Sequence, residues 1–70
     1  TKSAWLLTAA DVNFFVGKVS KTEILLKKAV QVDPKNVDCK LRLAQLHHYM
    51  KRFEEEVKLL DEVLLQDVHN

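Results

Sequence analysis

The residues best suited to chemistry cluster in the second half of the chain: Cys39, the adjacent pair His47 and His48, and Glu56. Histidine and cysteine are the usual zinc ligands, which need three or four donors converging on one point. The spacing here does not supply them. Neighbouring residues on a helix point about 100° apart, so His47 and His48 cannot readily grip one ion. Cys39 stands two turns before His47, too far for a ligand pair at i,i+4, and His69 lies next to the terminus. No metal and no cofactor is therefore expected. His47 should be partly buried between helices, and His48 should face a groove or solvent. A pH-sensitive interface is the intermediate reading of the pair. No nucleophile stands beside a base, and no paired carboxylates flank a histidine, so the chain reads as no enzyme. A single glycine, Gly17, rules out a glycine-rich phosphate loop. Cys39 has no activating neighbour and reads as structural.

A lone cysteine also permits no internal disulfide. That fits a reducing, intracellular and cytoplasmic setting better than a secreted one. The 70 residues carry a net charge of +1, which gives no global attraction to nucleic acid or membranes. The halves differ. Residues 1–36 hold Lys2, Lys18, Lys21, Lys27, Lys28 and Lys35 against Asp11, Glu23 and Asp33, a balance of +3. Residues 37–70 hold five basic groups against seven acidic ones, a balance of −2. Lys18, Lys21, Lys27 and Lys28 lack stacking aromatics among them and read as a solvated helix face, so no nucleic-acid partner is expected. No apolar run approaches the roughly 20 residues that span a bilayer, so no membrane insertion is expected. A chain of this length makes one small domain of marginal stability. Because it starts at Thr1, it reads as a piece of a longer protein.

These residues must be carried by helices, since one glycine and one proline leave little punctuation. The first helix is expected from about Ser3, as N-cap, to Val16, with Gly17 in the left-handed C-terminal place. The second is expected from about Ser20 to Val32, where Ser20-Lys21-Thr22-Glu23 has the form of a capping box and Glu23 can pair with Lys27. Asp33-Pro34-Lys35-Asn36 then breaks the chain. The third helix spans about Val37 to Met50, with Asn36 or Asp38 near its start. The fourth spans about Phe53 to Gln66. Its first turn, Glu54-Glu55-Glu56, suits the positive end of the helix dipole, and Glu54 can pair with Lys58. Val57, Leu60, Val63 and Leu64 share a face of the fourth helix. The first helix is apolar nearly all round, with only Thr8, Asp11 and Asn13 as a polar strip. Trp5 is expected in the core. Of Phe14 and Phe15, one is expected to pack inward and the other to line a groove.

The chain also repeats itself. A shift of 34 residues aligns Leu7 with Leu41, Ala10 with Ala44, Leu26 with Leu60, Asp33 with Asp67 and Asn36 with Asn70. Phe15 then meets Tyr49, Lys18 meets Arg52 and Val19 meets Phe53. In this period the chain resembles the tetratricopeptide repeat (TPR) family. Leu43-Ala44 stands in the family's Leu-Gly slot, Phe53 in the aromatic slot opening the second helix, and Leu60 and Val63 in the apolar places after it. Gly17, Leu26, Ala29 and the Val32-Asp33-Pro34-Lys35-Asn36 tail match in the first unit. Trp5 falls one residue early, Asn13 and His47 stand where Tyr is usual, Val68 replaces the closing proline, and Glu56 replaces a small residue. The last departure leaves two readings: a carboxylate held against Ala44, paired with Arg52 or His47, or a slightly shifted helix that leaves Glu56 in water. The second is preferred.

The resemblance implies an all-α fold of two antiparallel helix-turn-helix hairpins in a short right-handed solenoid. Repeat one covers residues 3–36 and repeat two 37–70. It implies a protein-interaction scaffold with no catalytic role, its partner a protein or peptide. Ligands of the family usually lie in the concave groove of the first helices, here Ala4, Leu7, Asp11, Phe14 and Phe15 with Asp38, Leu41, Gln45, His48 and Tyr49. One branch grips a C-terminal carboxylate with Lys and Asn. Leu7, Asp11, Leu41 and Gln45 stand there instead, so an apolar groove for a hydrophobic peptide or helix fits better. Stacked repeats also need caps, so Val57, Leu60 and Leu64 form an expected uncapped, partner-binding edge. Covering by a further repeat, a different protein or a second copy all remain open. Self-association as a homo-oligomer is one alternative function. A four-helix bundle unrelated to TPRs, binding nucleic acid or lipid, is another. A bundle would pair the first helix closely with the fourth.

Overall fold

The computed structural model describes residues 3–68 and leaves the side chains of Asp67 and Val68 undescribed. His69 and Asn70 therefore lie outside the described residues, as do the side chains matched at Asp67 and Val68. Four helices follow one another: α1 (Ala4–Phe15), α2 (Val19–Val32), α3 (Val37–Tyr49) and α4 (Phe53–Val68). Short connections make sequential helices antiparallel neighbours. α1 packs on α2, α3 on α4, and α2 joins the two hairpins through α3. α1 and α4 share no extended interface, and the Cα atoms fill a slab of 37 × 29 × 14 Å. This is a stack of hairpins, and the four-helix bundle is set aside.

The 34-residue repeat is visible in the backbone of the turns. After α1, Gly17 takes φ +86°, its N–H bonds Phe14 O at 3.0 Å, and the Lys18 N–H bonds Asn13 O at 2.8 Å. These two bonds are a Schellman motif, which satisfies carbonyls left free by the helix end. After α3 the same motif recurs: Lys51 takes φ +61°, its N–H bonds His48 O at 3.0 Å, and the Arg52 N–H bonds His47 O at 2.8 Å. A side chain in this left-handed conformation costs roughly 1 kcal/mol that glycine avoids. Lys51→Gly should therefore raise the melting temperature by about 4–8 °C. Gly17→Ala should lower it by a similar amount. A Cβ at Gly17 meets no atom within 4 Å, so that loss would be the backbone's alone. Thermal denaturation of both variants checks the pair; equal shifts in one direction would contradict it.

The helix starts differ from their sequence reading. Lys18, not Ser20, is the N-cap of α2, and no side chain caps it. The Schellman turn runs straight into Val19, which leaves Ser20 inside the first helical turn. The capping box therefore does not form. Thr22 Oγ1 instead donates to Lys18 O at 2.9 Å and reaches Ala10 O at 3.3 Å, tying α2 to α1. Glu23 goes to Lys27 at 3.2 Å and to Arg52 at 2.6 Å. Burial pushes the Glu23 carboxyl up, but the hydrogen bonds and charges of Lys27 and Arg52 outweigh it and hold the group below its ordinary value. Ser3 does occupy the N-cap position of α1, yet its hydroxyl does not cap the helix. It is fully buried, donates to Asp33 Oδ2 and accepts from Asn36 Nδ2, both at 3.2 Å. Asn36 caps α3 by accepting from the Asp38 N–H at 3.0 Å. The Glu54–Lys58 pair is not among the ion pairs of the described residues.

The core lies where α1, α2 and α3 meet. Ala10, Leu26, Leu43 and Leu46 form one buried cluster, and Leu6, Ala29 and Cys39 a second. Leu7, Leu25 and Val30 pack against both. Trp5 is not in this core; it is 65% exposed, and Leu6 takes the buried place. Neither Phe14 nor Phe15 packs inward, Phe15 being 92% exposed. The reason is common to all three. α1 is apolar on nearly every side, so its pattern selects no face. Close approach to α2 selects one, and the small Ala10 permits it beside Leu6, about one turn earlier at i−4. α4 turns Glu56, Leu59, Val63 and Gln66 toward half-buried positions and leaves Val57, Leu60 and Leu64 exposed.

Candidate functional site

A groove of about 400 Å³ opens beside α1 and α3. Asp11 and Phe14 of α1 line it with Asp38, Leu41, Arg42, Gln45 and Leu46 of α3, and Thr22 and Leu26 of α2 complete the lining. Spacing explains the lining of α3. Asp38, Leu41, Arg42 and Gln45 recur at three and four residues and so share a face. Arg42 Nη1 is paired with Asp11 Oδ2, joining α1 to α3 at the groove. Both side chains are largely solvated, so the pair adds little stability and can be exchanged for a ligand's charge. Phe14 meets Tyr49 edge to face at 5.2 Å between ring centroids, an arrangement that favours both rings.

Of the candidate groove residues, the structure thus brings together Asp11, Phe14, Asp38, Leu41 and Gln45, with Tyr49 attached through Phe14. It does not bring in Ala4, Leu7, Phe15 or His48. Leu7 packs against both core clusters. His48 is engaged elsewhere: its ring meets Phe53 at 5.7 Å, and Nδ1 lies 3.0 Å from Glu56 Oε1. The Glu56 side chain is only 21% exposed, so it is not left in water, and its partner is His48 rather than Arg52 or His47. His47 is buried, and its Nδ1 has no hydrogen-bond partner. Sequence reasoning missed the buried lining residues Thr22, Leu26 and Leu46 and one charged residue, Arg42. The signal for Arg42 was the repeat itself, for Asp11 aligns with Gln45 and Arg42 stands one turn before Gln45.

Among the described residues, no three His, Cys, Asp or Glu side chains gather as a metal site requires. No helix among them is long and apolar enough to cross a membrane. Cys39 is a free, fully buried thiol.

Two hairpins of one design, stacked through α2 and α3 with a groove on the side of their first helices, define a helical-repeat protein. The tetratricopeptide repeat family model matches residues 17–70, and the chain belongs to that family. No curated protein and no solved structure matches it. Repeats of this family generally mediate protein–protein interaction, typically as non-enzymatic scaffolds.

Proposed function

We propose that this chain is an intracellular, cytoplasmic scaffold without catalytic activity, and that it holds a peptide or short helix of a partner protein in the groove between α1 and α3. The observation that carries this reading is the lining: apolar Phe14 and Leu41 stand beside the exposed Asp11–Arg42 pair and Gln45. An amphipathic segment suits such a surface, since its apolar side chains find Phe14 and Leu41 while a charged group exchanges with the ion pair. The free thiol of Cys39 supports the reducing compartment.

The test is a screen of amphipathic peptides by fluorescence anisotropy, followed by variants. Leu41→Glu places an unpaired charge in the groove and should weaken a groove-bound peptide at least ~10-fold, or about 1.4 kcal/mol. Phe14→Ala removes an aromatic anchor and should act in the same direction. Binding unchanged in both variants would take the groove out of the account.

A further inference from the structure

The two outer faces of the stack are copies of the two faces that meet inside it. Exposed Trp5, Val12 and Val16 run along α1 at helical spacing. Advanced by 34 residues they become Cys39, Leu46 and Met50, which α3 packs into the core. Exposed Phe53, Leu60 and Leu64 run along α4. Set back by 34 they become Val19, Leu26 and Val30, three of the residues α2 contributes to the same core. The outer face of α4 is therefore the counterpart of the α2 face that receives α3, and the outer face of α1 is the counterpart of the α3 face that α2 receives.

We propose that these faces bind each other in trans: α4 of one copy receives α1 of the next, repeating the α2–α3 joint, so that the chain assembles head to tail with a second copy of itself. The charges favour this pairing. It sets a hairpin of balance −2 against one of +3, whereas two like ends would oppose equal charges. The polar residues of the internal joint also have neutral or compatible counterparts. Glu23, which needs Arg52 inside the chain, is replaced on α4 by Val57. The Asp11–Arg42 pair becomes Gln45 against Thr8. Neither of these two positions strands a carboxylate in the new joint, where an unpaired charge would be costly. Trp5 and Val63 are larger than Cys39 and Ala29, so the joint between copies is wider than the internal one. Such a contact is heterologous and does not close on itself, so the assembly grows with concentration.

The test uses two variants that block opposite ends, in the full chain. Val12→Glu disables the α1 face and Leu64→Glu the α4 face, both at exposed positions outside the buried clusters. Sedimentation analysis from ~1 µM to ~1 mM brackets the affinities of weak assemblies. The wild-type mass should rise past that of a dimer, and each variant alone should stay monomeric. An equimolar mixture of the two should form dimers and nothing larger, since each supplies the face the other lacks, and added salt should weaken them. Trp5→Lys replaces Val12→Glu if circular dichroism shows the latter to have lost its helices. A wild-type chain that is monomeric throughout overturns the proposal and leaves these faces to a different protein. A variant that still dimerises alone also overturns it, in favour of a symmetric contact.

Discussion

Leu26→Ala should leave the chain largely unfolded at room temperature. Leu26 is 3% exposed and lies in the cluster with Ala10, Leu43 and Leu46, where residues from α1, α2 and α3 meet. Removing its isobutyl end costs the transfer energy of the lost carbons and leaves a cavity, about 2–5 kcal/mol in all. A core of this size seldom supplies more than ~3–5 kcal/mol of net stability. The loss and the reserve are therefore of the same size. The internal repeat supplies the control. Leu60 is the same residue type 34 positions on, at the same place on the second helix of its hairpin, but it is exposed. Leu60→Ala should cost well under ~1 kcal/mol, as surface changes do. Urea denaturation followed by far-ultraviolet circular dichroism reads both. Equal midpoints for the two variants would deny that the hairpins share the core described here.

The contrast between Leu26 and Leu60 also marks what a sequence can convey. Backbone features repeat with the sequence, so they were legible. Gly17 announces its turn, and the same turn recurs 34 residues on at Lys51, a residue type that gives no such signal by itself. The four helices fall within about one to two residues of their expected ends, as capping and turn signals allow. Burial does not repeat, because it depends on what lies beyond each hairpin. Identical positions can be core in one repeat and surface in the other. The aromatic residues of α1 could not be placed for a related reason. A helix without a polar face has no preferred rotation until a neighbour fixes it, and the neighbour chose Leu6 and Ala10 over Trp5.

Long polar side chains were the other illegible class. The repeat places Cα atoms, not the ends of arginines and glutamates. Arg42 reaches from α3 to Asp11, Arg52 reaches back to Glu23, and Glu56 reaches to His48. The groove shows the consequence. Its apolar members, Phe14 and Leu41, follow from helical spacing, while the ion pair that gives it polarity does not. Ser20 failed for a local reason: the Schellman turn uses the preceding residues and starts α2 at Val19, two positions too early for the serine to cap it.

Ala29→Phe should destabilise the chain by about 2–3 kcal/mol through overpacking, although it adds only apolar atoms. Ala29 has no exposed surface and sits with Leu6 of α1 and Cys39 of α3. A methyl group there lets three helices converge, and helices separate by ~8–10 Å according to the side chains between them. A phenyl ring cannot be added without moving α2 away from a neighbour. The hydrogen bonds of Thr22, two turns earlier on α2, would be strained by the same displacement. Val63, its counterpart in α4, is half-buried and has open surface beside it. Val63→Phe should therefore be tolerated within ~0.5 kcal/mol. Thermal and urea denaturation of the pair separates two explanations of the core. If hydrophobic content alone held the hairpins together, both substitutions would be neutral or stabilising. If close approach through a small residue holds them, only Ala29→Phe fails, and groove binding fails with it, because Thr22 and Leu26 of the displaced helix line that groove.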